Sequence, residues 1–218
     1  MIWLSENNKN FPDIKNANED GVLALGGDLS SERLINAYSN GIFPWYSEGE
    51  PIIWYSPDPR MVLFFEELKI SKSMRKILRN QVFTVTFNQA FEEVIYQCKS
   101  IERGDGLGTW ITDDMQKAYI ELHKKGMAKS VEVWQGSELV GGLYGVDLGT
   151  VFCGESMFSI KSNASKVAFI SLAQKLQKEN YKFIDCQVYN DHLASLGAEE
   201  IPRAVFLKLL GAKMEGVK

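Results

Sequence analysis

Apolar and polar positions alternate with two different textures along the chain, and the change falls near residue 60. Beyond that point the periods are easy to follow. Leu68 to Arg79 carries Ile70, Met74, Ile77 and Leu78 on one helical face. Val82 to Phe87 alternates threonine with apolar residues, as a strand with one buried face does. Asn88 is placed to cap a helix whose apolar stripe is Phe91, Val94, Ile95 and Cys98. Thr112 caps another, with Met115, Ala118, Tyr119 and Leu122 along its face and Asp113 and Asp114 in the first turn, where the helix dipole favours acids. Three strands are predicted next, over 130–135, 138–146 and 151–158. The links between them are short enough for hairpins, which makes an antiparallel meander. A long helix over 163–180 shows Phe169, Leu172, Ala173 and Leu176 at one face. A strand over 183–188, a short helix near 192–196 and an apolar stretch over 204–210 follow. This order implies an α+β architecture, with helices packed on a mainly antiparallel sheet.

The first sixty residues are less regular. They hold five of the six prolines and predict one helix, capped by Ser30 or Ser31 and stopped at Gly41. Ser56-Pro57-Asp58-Pro59-Arg60 cannot lie inside a helix, because each proline removes a donor and restricts its predecessor. It reads as the boundary between a small irregular N-terminal domain, 1–60, and a larger second domain, 61–218.

Composition narrows the class. With 45% hydrophobic residues there is enough apolar material for a core, and 24 Lys and Arg against 28 Asp and Glu give a net charge of −4. Whole-molecule charge is wrong for coating nucleic acid, although a local basic patch is allowed. Three unpaired-looking cysteines read as reduced thiols, no apolar run has membrane-spanning length, and the N-terminus lacks the pattern of a signal peptide, so a cytoplasmic protein is expected. There is no GxxxxGK[ST] loop, no GxGxxG between strand and helix, no CxxC or HExxH and no GxSxG. No metal and no cofactor are expected. An enzyme of this composition has to work by positioning and electrostatics on a substrate that is already activated.

Several residues could carry such chemistry. In the strand FIDCQV, alternation places Asp185 and Gln187 on one face and Cys186 on the other. An acid beside an amide could orient an amine and a carbonyl together, although Asp185 could equally cap the next helix. Cys186 and His192 invite comparison with a thiol–imidazole dyad, against which stands the opposite face of the strand. Glu155, in an otherwise apolar strand, is either a hydrogen-bond hub or a ligand contact. Lys72, Arg75, Lys76 and Arg79 share a third or less of one helix circumference, opposite its apolar face. That is either a solvated stripe or a contact with a phosphate backbone. Tyr38, Trp45 and Trp110 stand in glycine- and proline-rich surroundings, where exposed rings could stack on bases, unless they are core.

Taken in order, AYSNGIFPW (37–45), WYSPDPR (54–60), GTWIT (108–112), GGLYGV (141–146), GESMFS (154–159), ASK (164–166), IDCQ (184–187) and SLGAEEIPR (195–203) resemble the leucyl/phenylalanyl-tRNA–protein transferase family over nearly the whole chain. The resemblance implies a small N-terminal domain followed by a GCN5-related acetyltransferase-like domain. It also implies transfer of Leu or Phe, less often Met, from aminoacyl-tRNA to proteins that begin with Arg or Lys, which marks them for degradation. It would make Asp185 and Gln187 the catalytic pair and Glu155 a substrate ligand. Tyr38, Trp45 and Trp110 would surround the terminal adenosine. Leu143, Phe152, Phe169, Leu172, Leu176 and Ile184 would form the side-chain pocket, and Lys72, Lys76 and Arg79 would face the tRNA. Leu143 stands where the family often has Met. A monomer needing no cofactor is expected. The competing readings are a small-molecule acyltransferase of the same fold, for which SIKSNASK (159–166) lacks the pyrophosphate loop, and a non-catalytic tRNA-binding module.

Overall fold

The computed structural model describes residues 2–101 and 111–211. Two sheets organise it. The first holds β1 (Ile2–Leu4), β2 (Val22–Gly26), β3 (Phe43–Pro44) and β4 (Ile53–Tyr55) in the order β1-β2-β4-β3, with helix α1 (Ser31–Ser39) between β2 and β3. Ser30 caps α1 as expected, and Gly41, at φ 73°, turns the chain out of it. The four strands were not predicted. Each has two to five residues, too few for a period to show above the prolines and glycines around them.

The second sheet has seven strands in the order β11-β5-β10-β9-β8-β7-β6. In chain order its elements are β5 (Arg60–Leu63), α2 (Lys72–Arg79), β6 (Thr84–Phe87), α3 (Phe91–Ser100), α4 (Asp113–Lys124), β7 (Ala128–Gln135), β8 (Glu138–Asp147) and β9 (Val151–Ser159). Then come α5 (Ala164–Lys178), β10 (Phe183–Gln187), α6 (Asp191–Ser195), β11 (Glu199–Ile201) and α7 (Arg203–Leu210). The meander β7-β8-β9 and the α+β class are as expected, and every pairing in this sheet is antiparallel except β9 with β10. Phe91, Tyr119, Tyr38 and Phe206 bring α3, α4, α1 and α7 into the core on one face. Met74 and the apolar side of α5 fill the other.

Two local expectations are corrected. The helix read over 68–79 begins only at Lys72, where the Ser71 hydroxyl accepts the Met74 N–H at 3.2 Å. Asn88 does not cap α3. It takes a left-handed backbone, φ 58°, and its amide oxygen accepts the Ser130 N–H instead. The buried Glu132 carboxylate stands at the start of α3, accepting the Ala90 N–H at 3.4 Å, where the helix dipole favours an anion. Gly141 has a packing role: a Cβ there would lie 2.5 Å from that of Ala164, so its absence lets the first turn of α5 settle on β8.

Candidate functional site

The parallel pairing of β9 and β10 is short. It runs through Phe183–Val151, Ile184–Phe152 and Asp185–Cys153 and then stops, while β9 continues alongside β8 to Ser159. The two strands part, and a cavity of about 610 Å³ lies where they separate. Its apolar end is built from Leu143, Phe152, Phe169, Leu172 and Ile184, five side chains that belong to four different elements. Its polar end carries Glu155, Asp185 and Gln187, and Phe43, Pro44 and Trp45 form a lip above it. Trp45 is 42% exposed there, as an accessible ring should be.

At the polar end Gln187 closes a bulge. Asp185 pairs with Val62 and Gln187 with Met61, so Cys186 is the extra residue, and Gln187 has φ 66°. Its side-chain amide donates to Glu155 Oε1 at 2.7 Å. Glu155 Oε2 accepts the Tyr119 hydroxyl at 2.9 Å, and that hydroxyl is itself hydrogen-bonded to Tyr38. Burial pushes the Glu155 carboxyl up to about 8, against the pull of the Tyr38, Tyr119 and Gln187 contacts toward the charged form. Burial likewise raises Tyr38 and Tyr119 well above the ordinary phenol range, with the nearby Glu155 adding to it.

Asp185 is 1% exposed, and both of its oxygens are engaged. Arg60 Nε donates to Oδ1 at 2.8 Å and Nη2 to Oδ2 at 2.7 Å, while the backbone N–H of Gln187 donates to Oδ1 at 3.0 Å. Burial opposes the Arg60 charge, and the Asp185 carboxylate beside it more than offsets that. Arg60, the partner of Asp185, is the residue at this site that reading the sequence missed. The available signal was a cation opening the apolar run Met61-Val62-Leu63-Phe64, since a charge inside a core needs a partner.

Two expectations change, those for Tyr38 and Leu176, while Cys186 is the buried thiol that its strand face suggested. Tyr38 is not an exposed stacking ring: it lies on α1, is 1% exposed, and serves the site from behind through Tyr119. Leu176 does not line the cavity. One turn beyond Leu172, it borders a smaller depression of about 220 Å³ on the far side of Phe152 and Leu172. Cys186 offers no nucleophile, because its thiol is buried, bonded to the Ile184 carbonyl and pushed far above the usual thiol range by burial. Trp110 lies outside the described residues, as do 102–109 of the glycine-rich loop. On α2, Lys72, Arg75, Lys76 and Arg79 are exposed, with Met74 buried behind them. Among the described residues no group of His, Cys, Asp or Glu is arranged to hold a metal ion, and no helix is long and apolar enough to cross a membrane.

The family model described as leucyl/phenylalanyl-tRNA protein transferase matches residues 62–211, and the model of that protein's N-terminal domain matches residues 27–58. Curated relatives named leucyl/phenylalanyl-tRNA–protein transferase include one from Flavobacterium johnsoniae, 64% identical over 93% of this chain and 96% of its own length. Another is from Christiangramia forsetii, 59% identical over 96% of this chain and all of its own length. A third, from Pseudomonas fluorescens, is 52% identical over 99% and 96% of the two chains. Among solved structures, similarity is found to a conserved protein of unknown function from Staphylococcus epidermidis, with a TM-score of 0.46 and 8% identity over 83% of this chain and 68% of that one. A GCN5-related N-acetyltransferase from Kribbella flavida matches with a TM-score of 0.35 and 10% identity over 75% and 57%.

Proposed function

The chain belongs to the leucyl/phenylalanyl-tRNA–protein transferase family, and from that premise we propose that the wedge between β9 and β10 is where an aminoacyl-tRNA ester meets the amine of an acceptor protein. The enzyme is an aminoacyltransferase. In this reading it moves Leu or Phe, less often Met, onto the N-terminal amine of proteins that begin with Arg or Lys, and so marks them for degradation. It acts as a cytoplasmic monomer, with residues 1–60 as a small domain that supplies the lip and 61–218 as the catalytic domain.

One observation carries this reading: a single cavity joins an apolar group of lining side chains to an acid–amide pair. Leu143, Phe152, Phe169, Leu172 and Ile184 receive the Leu or Phe side chain, whose burial contributes about 1.5–3 kcal/mol. A β-branched side chain clashes or leaves a void. The reaction needs no further energy source, because the ester is already activated. The amine nitrogen attacks the ester carbonyl, a C–N bond forms, the bond from carbonyl carbon to ribose oxygen breaks, and the proton lost by the amine balances the one gained by the ribose. A protein N-terminal amine titrates near ~8, so a useful fraction is neutral at cellular pH.

Gln187 spends its amide N–H on Glu155, which turns its amide oxygen toward an incoming amine as a hydrogen-bond acceptor. Asp185, gripped on both oxygens by Arg60, acts as an anchor for that edge. Trp45, with Trp110, stacks on the terminal adenosine, and Lys72, Lys76 and Arg79 bind tRNA phosphates without reading sequence. The deciding experiment is transfer of labelled Leu or Phe from charged tRNA to peptides that differ only in their first residue. Transfer to Arg- and Lys-headed peptides is expected. Charged tRNA left intact beside an Arg-headed peptide would overturn the reading.

A further inference from the structure

Arg60 opens β5, the strand between β10 and β11. Its side chain is 1% exposed, and beyond the two-oxygen grip on Asp185 its Nη1 donates to the Gly41 carbonyl at 3.2 Å. The guanidinium carbon lies 4.7 Å from the ring centre of Phe43 and 4.6 Å from that of Phe206. Gly41 is held to its place in this arrangement, since a Cβ on it would come within 2.9 Å of the Phe206 ring and 2.8 Å of Leu207. Stability alone does not account for so complete an enclosure. A buried ion pair is seldom better for a core than apolar residues of the same volume.

The next contact supplies a reason. Asp185 Oδ1, fixed by Arg60 Nε, also receives the backbone N–H of Gln187 at 3.0 Å, across the bulge that leaves Cys186 without a partner on β5. Gln187 has the left-handed φ of 66°, a conformation that persists in a non-glycine residue only where its surroundings enforce it. We propose that Arg60 is a positioning residue for aminoacyl transfer: through Asp185 it holds the β10 bulge, and the bulge sets the Gln187 amide between Glu155 and the reacting centre. The planar fork of a guanidinium is what this task needs, since it fixes a carboxylate in both position and rotation, whereas an ammonium meets it as a single point charge. The inference rests on Gln187 being the group that meets the amine.

The test is steady-state transfer of labelled Leu from charged tRNA to an Arg-headed peptide by the parent, Arg60→Lys, Arg60→Met and, as a control on the site itself, Gln187→Ala. A misplaced reacting group with substrate binding intact lowers kcat alone. Arg60→Met is therefore expected to lose about a hundredfold in kcat, with KM for aminoacyl-tRNA within about twofold of the parent. Arg60→Lys, which keeps the charge but not the fork, should fall between the two. Should Arg60→Met fail to fold, Arg60→Lys decides on the same split. Parental kcat in the folded Arg60 variants, or a rise in KM that matches the loss, overturns the proposal while Gln187→Ala remains inactive. Parental kcat in Gln187→Ala overturns the reading of the site on which it stands, so the two failures are told apart.

Discussion

Glu155 shows how much a single position depends on its surroundings. Its sequence context, GESMF, leaves open whether the carboxylate is a structural hub or a ligand contact. The structure makes it a hub, since it gathers Tyr119 and Gln187, and places it on the wall of the cavity. An ordinary glutamate titrates near 4.5, whereas in the folded protein this one is raised to about 8 by burial. The folded state therefore binds the proton more tightly than the unfolded chain. This contribution to stability is fully present below about 4.5 and is lost as the pH rises through about 8. Urea unfolding across that range should show stability falling in the parent, and falling less in Glu155→Gln. Equal slopes would mean that some other group is responsible. At the apolar end, Leu172 stands between the cavity and the smaller depression behind it. Leu172→Ala should shift the Leu:Phe ratio of kcat/KM toward Phe by about tenfold, measured by competition between the two charged tRNAs. An unchanged ratio would place side-chain selection elsewhere.

At the scale of elements, α2 and α5 are read from the chain because they keep a helical period long enough to see, and each buries residues of the face that its period marks as apolar. The exposed cations of α2 form a stripe with no acid among them, on a molecule of net negative charge. Replacing Lys72, Lys76 and Arg79 together with Ala should weaken tRNA use and reduce the salt slope by about three phosphate contacts, roughly 0.7–0.9 in log–log slope for each. The same slope in parent and variant would clear the helix of that role. α5 meets β8 at Gly141, where a side chain has no room. Gly141→Val should cost about 1–3 kcal/mol of stability or more, read from the denaturation midpoint, because the first turn of α5 must lift from the sheet. What could not be read were β5 and β11, strands of four and three residues whose partners are far away in the chain. Arg60 goes unread with β5, since the local signal, a cation opening an apolar run, does not say which counter-ion meets it 125 residues on.

At the scale of the whole molecule, the two sheets share a core. Leu34, Tyr38, Phe43 and Trp54 pack in one cluster with Val62, Tyr119, Tyr144 and Phe206, and the Tyr38–Tyr119 bond crosses between the two parts. Denaturation should therefore follow one cooperative transition, with coincident tryptophan fluorescence and far-ultraviolet dichroism; a separate early fluorescence change would show that the first sheet unfolds alone. The chain by itself determined whatever is written in short-range periods and in a chain-long succession of motifs: the long helices, the β7-β8-β9 meander, the family and five of the residues that line the cavity. Tertiary structure alone decided that β9 and β10 part after three pairs to open the cavity, that Tyr38 lies behind the site, and that Asp185 is held by Arg60. The physical reason is that a period reports which face of an element is apolar. Which distant element covers that face, and which charge meets which, is settled only when long-range strand pairing and burial leave a polar group one partner within reach.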